Sequence, residues 1–338
     1  MTRTTMLGNV GRRLPASIGA GALALVVFGG AAAPAAAAPT VKAQVIDGTL
    51  RISGGPFADK ITLRQSPSDR TQLQVDVGDD GSADFTFDLN TFDTIDVKAR
   101  GGNDTVRIDD TNGAFTTTEA TRINGGNGDD TLIGGSGNEV FVGGKGNDRV
   151  DGNGGADTAF LGSGDDTFVW DPGDASDIVE GQAGSDTMVF NGSGGNEIME
   201  ASANFGRVSF TRNLGNIVMD LDGIEAIDVA ALDGTDSITV NDMTGTDLAR
   251  VNVDLAAALG GSTADGKADT VNVNGTKGDD SIAVDATGSA VEVSGLAALV
   301  RITHTDPTMD KLVIDPVTGT DDVVLDPAVN ALILFSVL

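Results

Sequence analysis

From Gly125 to Val169 the chain reads GGNGDDTLI, GGSGNEVFV, GGKGNDRVD, GNGGADTAF and LGSGDDTFV, nine residues at a time without a gap. Positions one, two and four are mostly glycine. Position six is Asp130, Glu139, Asp148, Asp157 and Asp166, and position eight is apolar in every line. Glycine reaches positive φ at little steric cost, so the first six residues of a line can bend tightly with carbonyls turned inward. The last three, such as Thr131-Leu132-Ile133, suit a short strand. Two lines then make one coil of 18 residues, stacking Asp130, Asp148 and Asp166 on one edge of a solenoid and Glu139 and Asp157 on the other.

Coils in a parallel stack lie about 4.8 Å apart. Two unscreened charges at that spacing repel by roughly 1 to 3 kcal/mol at a surface-like dielectric. Such a column of carboxylates calls for a cation. Carboxylate and carbonyl oxygens in a flexible turn favour Ca²⁺, which accepts six to eight oxygens, over Mg²⁺ and its stricter octahedron.

The run resembles the nonapeptide repeat of the RTX (repeats-in-toxin) family, G-G-x-G-x-D-x-U-x. The resemblance implies an all-β fold, a parallel β-roll with several Ca²⁺ ions held between turns n and n+2. The expected side-chain ligands are Asp130, Glu139, Asp148, Asp157 and Asp166, extended by Asp177 and Asp186 in the lines that follow. The expected carbonyl ligands are Gly126, Gly128, Gly135, Gly137, Gly144, Gly146, Gly155 and Gly164, with Asn127, Asp129, Asn147, Asp165 and Asp104 ranked below them. Three residues depart from the pattern: Glu139 replaces the aspartate, and Asn153 and Leu161 take glycine positions.

Composition agrees with stacked thin coils. The 338 residues include 47 Gly, one Trp, one His, no Tyr and no Cys, and only 4% are aromatic. Small β-branched and aliphatic side chains can fill a narrow solenoid core, whereas a wide globular core needs larger ones. Formal charge is -29. Residues 1 to 37 contribute Arg3, Arg12 and Arg13 and no acid, so removing them takes the charge to -32. A polyanion of this size is not expected to seek nucleic acid or anionic membrane surfaces.

Residues 1 to 37 have a basic start, an apolar span from Ile18 to Phe28 and a small-residue run ending Ala35-Ala36-Ala37, the pattern of a secretory signal cleaved near Ala37. An uncleaved anchor is the alternative, disfavoured by Gly29, Gly30 and Pro34. Arg12-Arg13 offers only a weak twin-arginine signal. Many RTX proteins use a C-terminal export signal instead, so the resemblance leaves the route open. Absence of Cys suits an export route without disulfides.

Residues 38 to 124 are expected to form irregular coils with longer turns, from strands at 50 to 52, 61 to 63, 73 to 77, 85 to 87, 95 to 97 and 106 to 108, with a Thr-rich loop at 111 to 122. Asp76 to Asp84 looks like a calcium loop, but Gly78 and Phe87 stand where an EF-hand needs Asp or Asn and Glu, so a plain acidic turn is expected. The calcium block is assigned to 125 to 190. It includes the insertion Trp170 to Glu180 and the further repeat GQAGSDTMV at 181 to 189, with Trp170 expected to cap the core edge. Residues 191 to 338 are expected to continue as coils, ending in a core strand. Their Gly234-Thr-Asp236, Gly245-Thr-Asp247 and Gly319-Thr-Asp321 turns lack paired glycines and are not expected to hold calcium. This layout resembles large secreted bacterial calcium-binding repeat proteins of no assigned activity.

Enzyme classes find little support. One histidine, His304, read as a solvated turn residue, excludes an HExxH site, and there is no G-x-S-x-G elbow or cysteine nucleophile. Position seven reads Thr131, Val140, Arg149, Thr158 and Thr167, so the threonine ladder of an ice-binding face is broken. The reading is a secreted, calcium-stabilised structural or adhesive solenoid that partners calcium and extracellular polysaccharide and does not insert into membranes. The alternative is a calcium-dependent polysaccharide lyase or hydrolase on a β-helix. That chemistry wants basic residues beside acids, and Lys145 and Arg149 stand alone.

Overall fold

The computed structural model describes residues 41–338, so the expected leader and its cleavage point lie outside the described residues. The fold is all-β: two 14-stranded sheets face each other, and in the repeat block the chain visits them alternately. One sheet takes Ala120–Asn127, Glu139–Lys145, Thr158–Ser163 and Ile178–Ala183. The other takes Thr105–Asp109, Thr131–Ile133, Arg149–Asp151, Thr167–Trp170 and Thr187–Asn191.

Neighbouring strands in this block are parallel, with Arg149 opposite Thr131 on one side and Thr167 on the other. The partners are two lines apart, as one coil of two lines requires. Beyond the insertion Thr187 pairs with Thr167 and Ile178 with Thr158, so the extra residues bulge out and the register survives. Alternation along each short strand turns position eight inward: Leu132, Phe141, Val150, Ala159 and Phe168 are fully buried between the sheets. Each of the larger ones contributes roughly 1.5 to 3 kcal/mol by leaving water.

Outside the block the expectation of simple longer turns fails. Three strands fold back on one another within one sheet at Lys60–Gln65, Gln72–Val77 and Phe85–Asp88. The same happens at Ile198–Asn204, Arg207–Arg212 and Ile217–Asp222, and at Ser281–Thr287, Ala290–Ser294 and Leu299–Thr303. A hairpin also opens the described chain, Lys42–Ile46 against Thr49–Ser53. Its turn is Asp47-Gly48, both at positive φ, and Phe205-Gly206 repeats that geometry. Two positive-φ residues give the turn whose twist matches antiparallel strands.

Of the other expectations, those for the Thr-rich stretch, Trp170 and His304 are corrected, while the acidic turn at Asp76 to Asp84 and the terminal strand agree with the structure. The Thr-rich stretch at 111 to 122 is not a free loop: Phe115 and Thr116 are buried, and the strand Ala120–Asn127 begins within it. Trp170 does not cap an edge. It is fully enclosed, its ring stacked on Phe190 at 4.1 Å and 3°, its Nε1 donating to the Ala175 carbonyl at 2.8 Å, with Arg212 lying 5.2 Å over its face. His304 is half-buried at the end of Leu299–Thr303, with Nδ1 2.6 Å from Asp254 Oδ1. Asp76 is neutralised by Arg64 Nη1 at 2.8 Å and accepts the Asp80 and Gly81 N–H groups, which makes Asp76 to Asp84 a structural turn. The terminal strand Leu334–Val337 pairs in parallel with Lys311–Asp315, and Ile333 is fully buried.

The tightest steric demand falls on position four. Gly146 has φ +118, and a Cβ there would lie 2.3 Å from the Gly128 carbonyl oxygen of the coil before. Gly146→Ala is expected to destabilise the calcium-loaded fold by on the order of 3 kcal/mol, from backbone strain plus a main-chain clash. Gly173→Ala carries similar strain (φ +126) with open space around the added carbon. Denaturant midpoints should fall clearly further for the first, and equal losses would contradict this packing.

Candidate metal centre

The position-six carboxylates bind one coil to the next. Asp104 N–H donates to Asp130 Oδ1 (2.7 Å), Asp130 N–H to Asp148 Oδ1 (2.8 Å), Asp148 N–H to Asp166 Oδ1 (2.6 Å) and Asp166 N–H to Asp186 Oδ1 (2.9 Å). Asp59 N–H precedes this column, donating to Asp104 Oδ1, and Glu225 closes it by accepting Asp186 N–H. On the opposite edge Glu139 N–H donates to Asp157 Oδ1 (2.6 Å) and Asp157 N–H to Asp177 Oδ1 (2.9 Å). The strands that follow Asp130, Asp148, Asp157, Asp166, Asp177 and Asp186 each start one residue after the acid, and Glu139–Lys145 starts on it, so strand register and carboxylate register move together.

The second oxygens are different. Oδ2 of Asp104, Asp130, Asp148, Asp157, Asp166 and Asp186, and Oε1 of Glu139, are buried without a hydrogen-bond partner. They face into their own bends: a Cβ at Gly125 would lie 2.3 Å from Asp130 Oδ2, and one at Gly143 2.5 Å from Asp148 Oδ2. Glu139, one methylene longer, places Oε2 on the Gly135 N–H and still leaves Oε1 unpartnered. An isolated buried carboxylate oxygen needs either a proton or a cation.

Carbonyls run beside the carboxylates. The oxygens of Gly126, Gly128 and Gly146 lie 2.0 to 2.3 Å from where a Cβ would stand on Gly144, Gly146 and Gly164 of the following coil. Gly144 and Gly162 continue the same edge, and Gly137 and Gly155 are related in the same way on the other. Gly135 contributes its N–H to Glu139. Asn153 fills its glycine position at φ +52, with Nδ2 donating to the Gly134 carbonyl. Leu161 turns into the core, fully buried.

The lower-ranked candidates divide. Asp104 behaves as a full member of the column. Asp129, Asn147 and Asp165 are exposed and form a separate outer ladder, Asp129 Oδ1 accepting from Asn147 N–H, Asn147 Oδ1 from Asp165 N–H and Asp165 Oδ1 from Ser185 N–H. Asn127 is exposed. Asp59 and Glu225 were missed because their spacing from the repeat is irregular, although each immediately precedes or lies beside a strand.

Burial dominates the electrostatics. It raises Asp130 to about 6, Asp104, Asp148, Asp177, Asp186 and Glu139 to about 7, and Asp157 to about 9, while N–H donors pull the other way and neighbouring carboxylates reinforce the rise for most. Among the described residues no three acidic, His or Cys side chains converge as a ready-made metal cluster. A cation here would therefore complete its shell with backbone carbonyls, which the glycine bends supply. The donor set is all oxygen, the fit expected of Ca²⁺.

Residues 116–150 and 133–168 match the model of the RTX calcium-binding nonapeptide repeat, 4 copies. This part of the chain is an RTX β-roll, and RTX nonapeptide repeats bind Ca²⁺. A search of the curated proteins found no match.

The raised carboxyl groups set the pH behaviour of calcium-free protein. Their folded pKa values lie above the ordinary value of 3.8 for Asp, so the unfolded chain gives up these protons first. Stability is then highest below about pH 4 for these groups and declines as pH rises toward 7. Thermal melts in excess chelator should show a lower midpoint at pH 8 than at pH 5, and added Ca²⁺ should restore most at pH 8. A chelated midpoint that rises across this window would contradict the buried, unpartnered carboxylates.

Proposed function

We propose that the chain is a secreted structural or adhesive solenoid that folds, or gains most of its stability, on meeting Ca²⁺ outside the cell. The observation that carries this reading is the pair of edge columns in which every buried carboxylate from Asp104 to Asp186 except Asp177 keeps one oxygen without a donor. In this reading Asp130, Asp148, Asp166 and Asp186 hold ions along one edge and Glu139, Asp157 and Asp177 along the other, with Gly126, Gly128, Gly137, Gly144, Gly146, Gly155 and Gly164 adding carbonyls. Inside a cell, at low Ca²⁺, a formal charge of -29 keeps the chain expanded. Outside, binding free energy becomes folding free energy. Among the described residues no helix is long and apolar enough to cross a membrane. Secretion is supported by the leader pattern of residues 1 to 37.

A second reading, polysaccharide cleavage, draws on a groove of about 600 Å³ where Arg107 meets Asp109, Asp110, Ser136, Asn153 and Asp174. Arg107 is already paired with Asp79 at 3.0 Å and Asp109 at 3.4 Å, which leaves it poorly placed to receive a sugar carboxylate.

At pH 8 circular dichroism of the mature chain should report a weaker and more easily melted β signal in excess chelator than with Ca²⁺; equally strong and equally stable signals would refute coupled folding. Asp148→Ala is expected to weaken two neighbouring sites, because its turn is shared by the coils before and after it. Calorimetry reporting loss at a single site would defeat the shared-turn arrangement. New reducing ends or unsaturated products from acidic polysaccharides, abolished by Arg107→Ala, would favour the second reading.

A further inference from the structure

The edge that carries Glu139, Asp157 and Asp177 does not end with the nonapeptide block. The strands Ile217–Asp222, Arg207–Arg212 and Ile198–Asn204 interpose an antiparallel excursion, after which parallel pairing resumes through Ser237–Val240, Thr270–Asn274 and Lys311–Asp315. The acids just before these strands rebuild the column. Glu197 N–H donates to Asp236 Oδ1 (2.8 Å), Asp236 N–H to Asp269 Oδ1 (2.8 Å) and Asp269 N–H to Asp310 Oδ1 (3.1 Å).

The two ends of this column have both oxygens occupied or paired from within: Glu197 by a cation, Asp310 by a hydrogen bond. Glu197 Oε1 accepts Arg212 Nε at 2.7 Å, and Ser193 donates to the same carboxylate. Asp310 Oδ2 accepts the Asp306 N–H at 2.6 Å. The two middle members have no such partner: Asp236 is 2% exposed and Asp269 1%, and Oδ2 of each is buried with no hydrogen bond. Neither forms an ion pair with any Lys, Arg or His among the described residues. The same structure thus contains acids of one column closed by an arginine or an N–H, and two left open.

The open oxygen of Asp236 lies at a glycine bend of the same kind as in the repeats. Gly234 has φ +148, and a Cβ on it would lie 2.7 Å from the Gly195 carbonyl and 2.8 and 3.2 Å from the two oxygens of Asp236. Asp265 Oδ2 reaches the same bend, accepting the Gly234 N–H at 3.1 Å. Every donor gathered there is oxygen, with more than one negative charge. Such a set suits a hard divalent cation with a loose coordination shell.

We infer that the bends at Gly234–Asp236 and Asp265–Asp269 form an additional Ca²⁺ site, outside the nonapeptide repeats, in which Asp236, Asp265 and the Gly195 carbonyl supply the ligands and Asp269, whose Oδ1 accepts the Asp236 N–H, holds the Asp236 bend in register. It does not depend on the reading of the repeat block, since its oxygens belong to different coils. It also revises the expectation that turns without paired glycines hold no calcium: here Gly195 and Gly234 come from successive coils and are paired by stacking, not by sequence.

The test uses the full mature chain, with bound Ca²⁺ counted by equilibrium dialysis and native mass spectrometry. Asp236→Asn/Asp269→Asn, a near-isosteric change, should keep its far-UV spectrum and bind less Ca²⁺ than wild type. Asp148→Asn should lose other ions, and the combination of all three changes should lose the sum. A double variant that binds as much Ca²⁺ as wild type would overturn the site and leave these carboxyls as protonated structural groups. Should the double variant not fold, crystals of wild type grown with Tb³⁺ decide the matter: an anomalous peak at the Asp236 and Asp269 bends supports the site, and none there, with peaks in the repeats, overturns it. Absence of Ca²⁺ from the repeats with retention here would fail the repeat reading alone.

Discussion

Each coil gives the first carboxylate oxygen of its acid to the N–H of the coil before it, and this leaves the second oxygen enclosed without a donor. That second oxygen is the constraint on which the rest depends. A carboxylate buried without a partner is held at a penalty of several kcal/mol. The fold can answer with a proton, an internal cation or a metal ion. All the other features of the block follow from keeping that oxygen in reach of the third: glycines that bend the chain around it, carbonyls stacked beside it, and no lysine or arginine close enough to satisfy it.

The answer differs along the molecule. Arg64 closes Asp76 and Arg212 closes Glu197, and both cations are themselves buried. These replacements stand in or beside the antiparallel excursions, where the regular 18-residue coil is broken. An arginine can neutralise one carboxylate from a single side chain. A column of them at every coil needs a ligand that bridges, and a divalent ion fits between successive turns as a long side chain does not.

The core imposes a weaker rule. Position eight accepts Leu132, Phe141, Val150, Ala159 or Phe168, because two facing sheets can take large against small side chains so long as the summed volume is met. The end of the repeat run follows the same logic: Trp170, first residue of the insertion, stacks on Phe190, Phe190 packs on Phe210, and Arg212 covers the tryptophan face. This aromatic stack sits where the repeats give way to the antiparallel excursion. It supplies there, by packing, the cohesion that the narrow glycine turns draw from bound ions.

From the residues alone, the coil length, the alternation of edges, the acids of the repeat and the oxygen character of the site were all readable, since nine residues recurring without a gap fix both backbone period and side-chain column. The interval of 20 at Asp157 to Asp177 and Asp166 to Asp186 was readable too, because a good repeat resumes after the insertion. Asp236, Asp269 and Asp310 were not, nor was Asp59. Their separations of 33 to 45 residues carry no period, because each coil contains a different hairpin or loop. Only the folded chain brings them into line, since parallel pairing aligns strand starts whatever length of chain lies between them, and the acid before each strand is carried into register with the last.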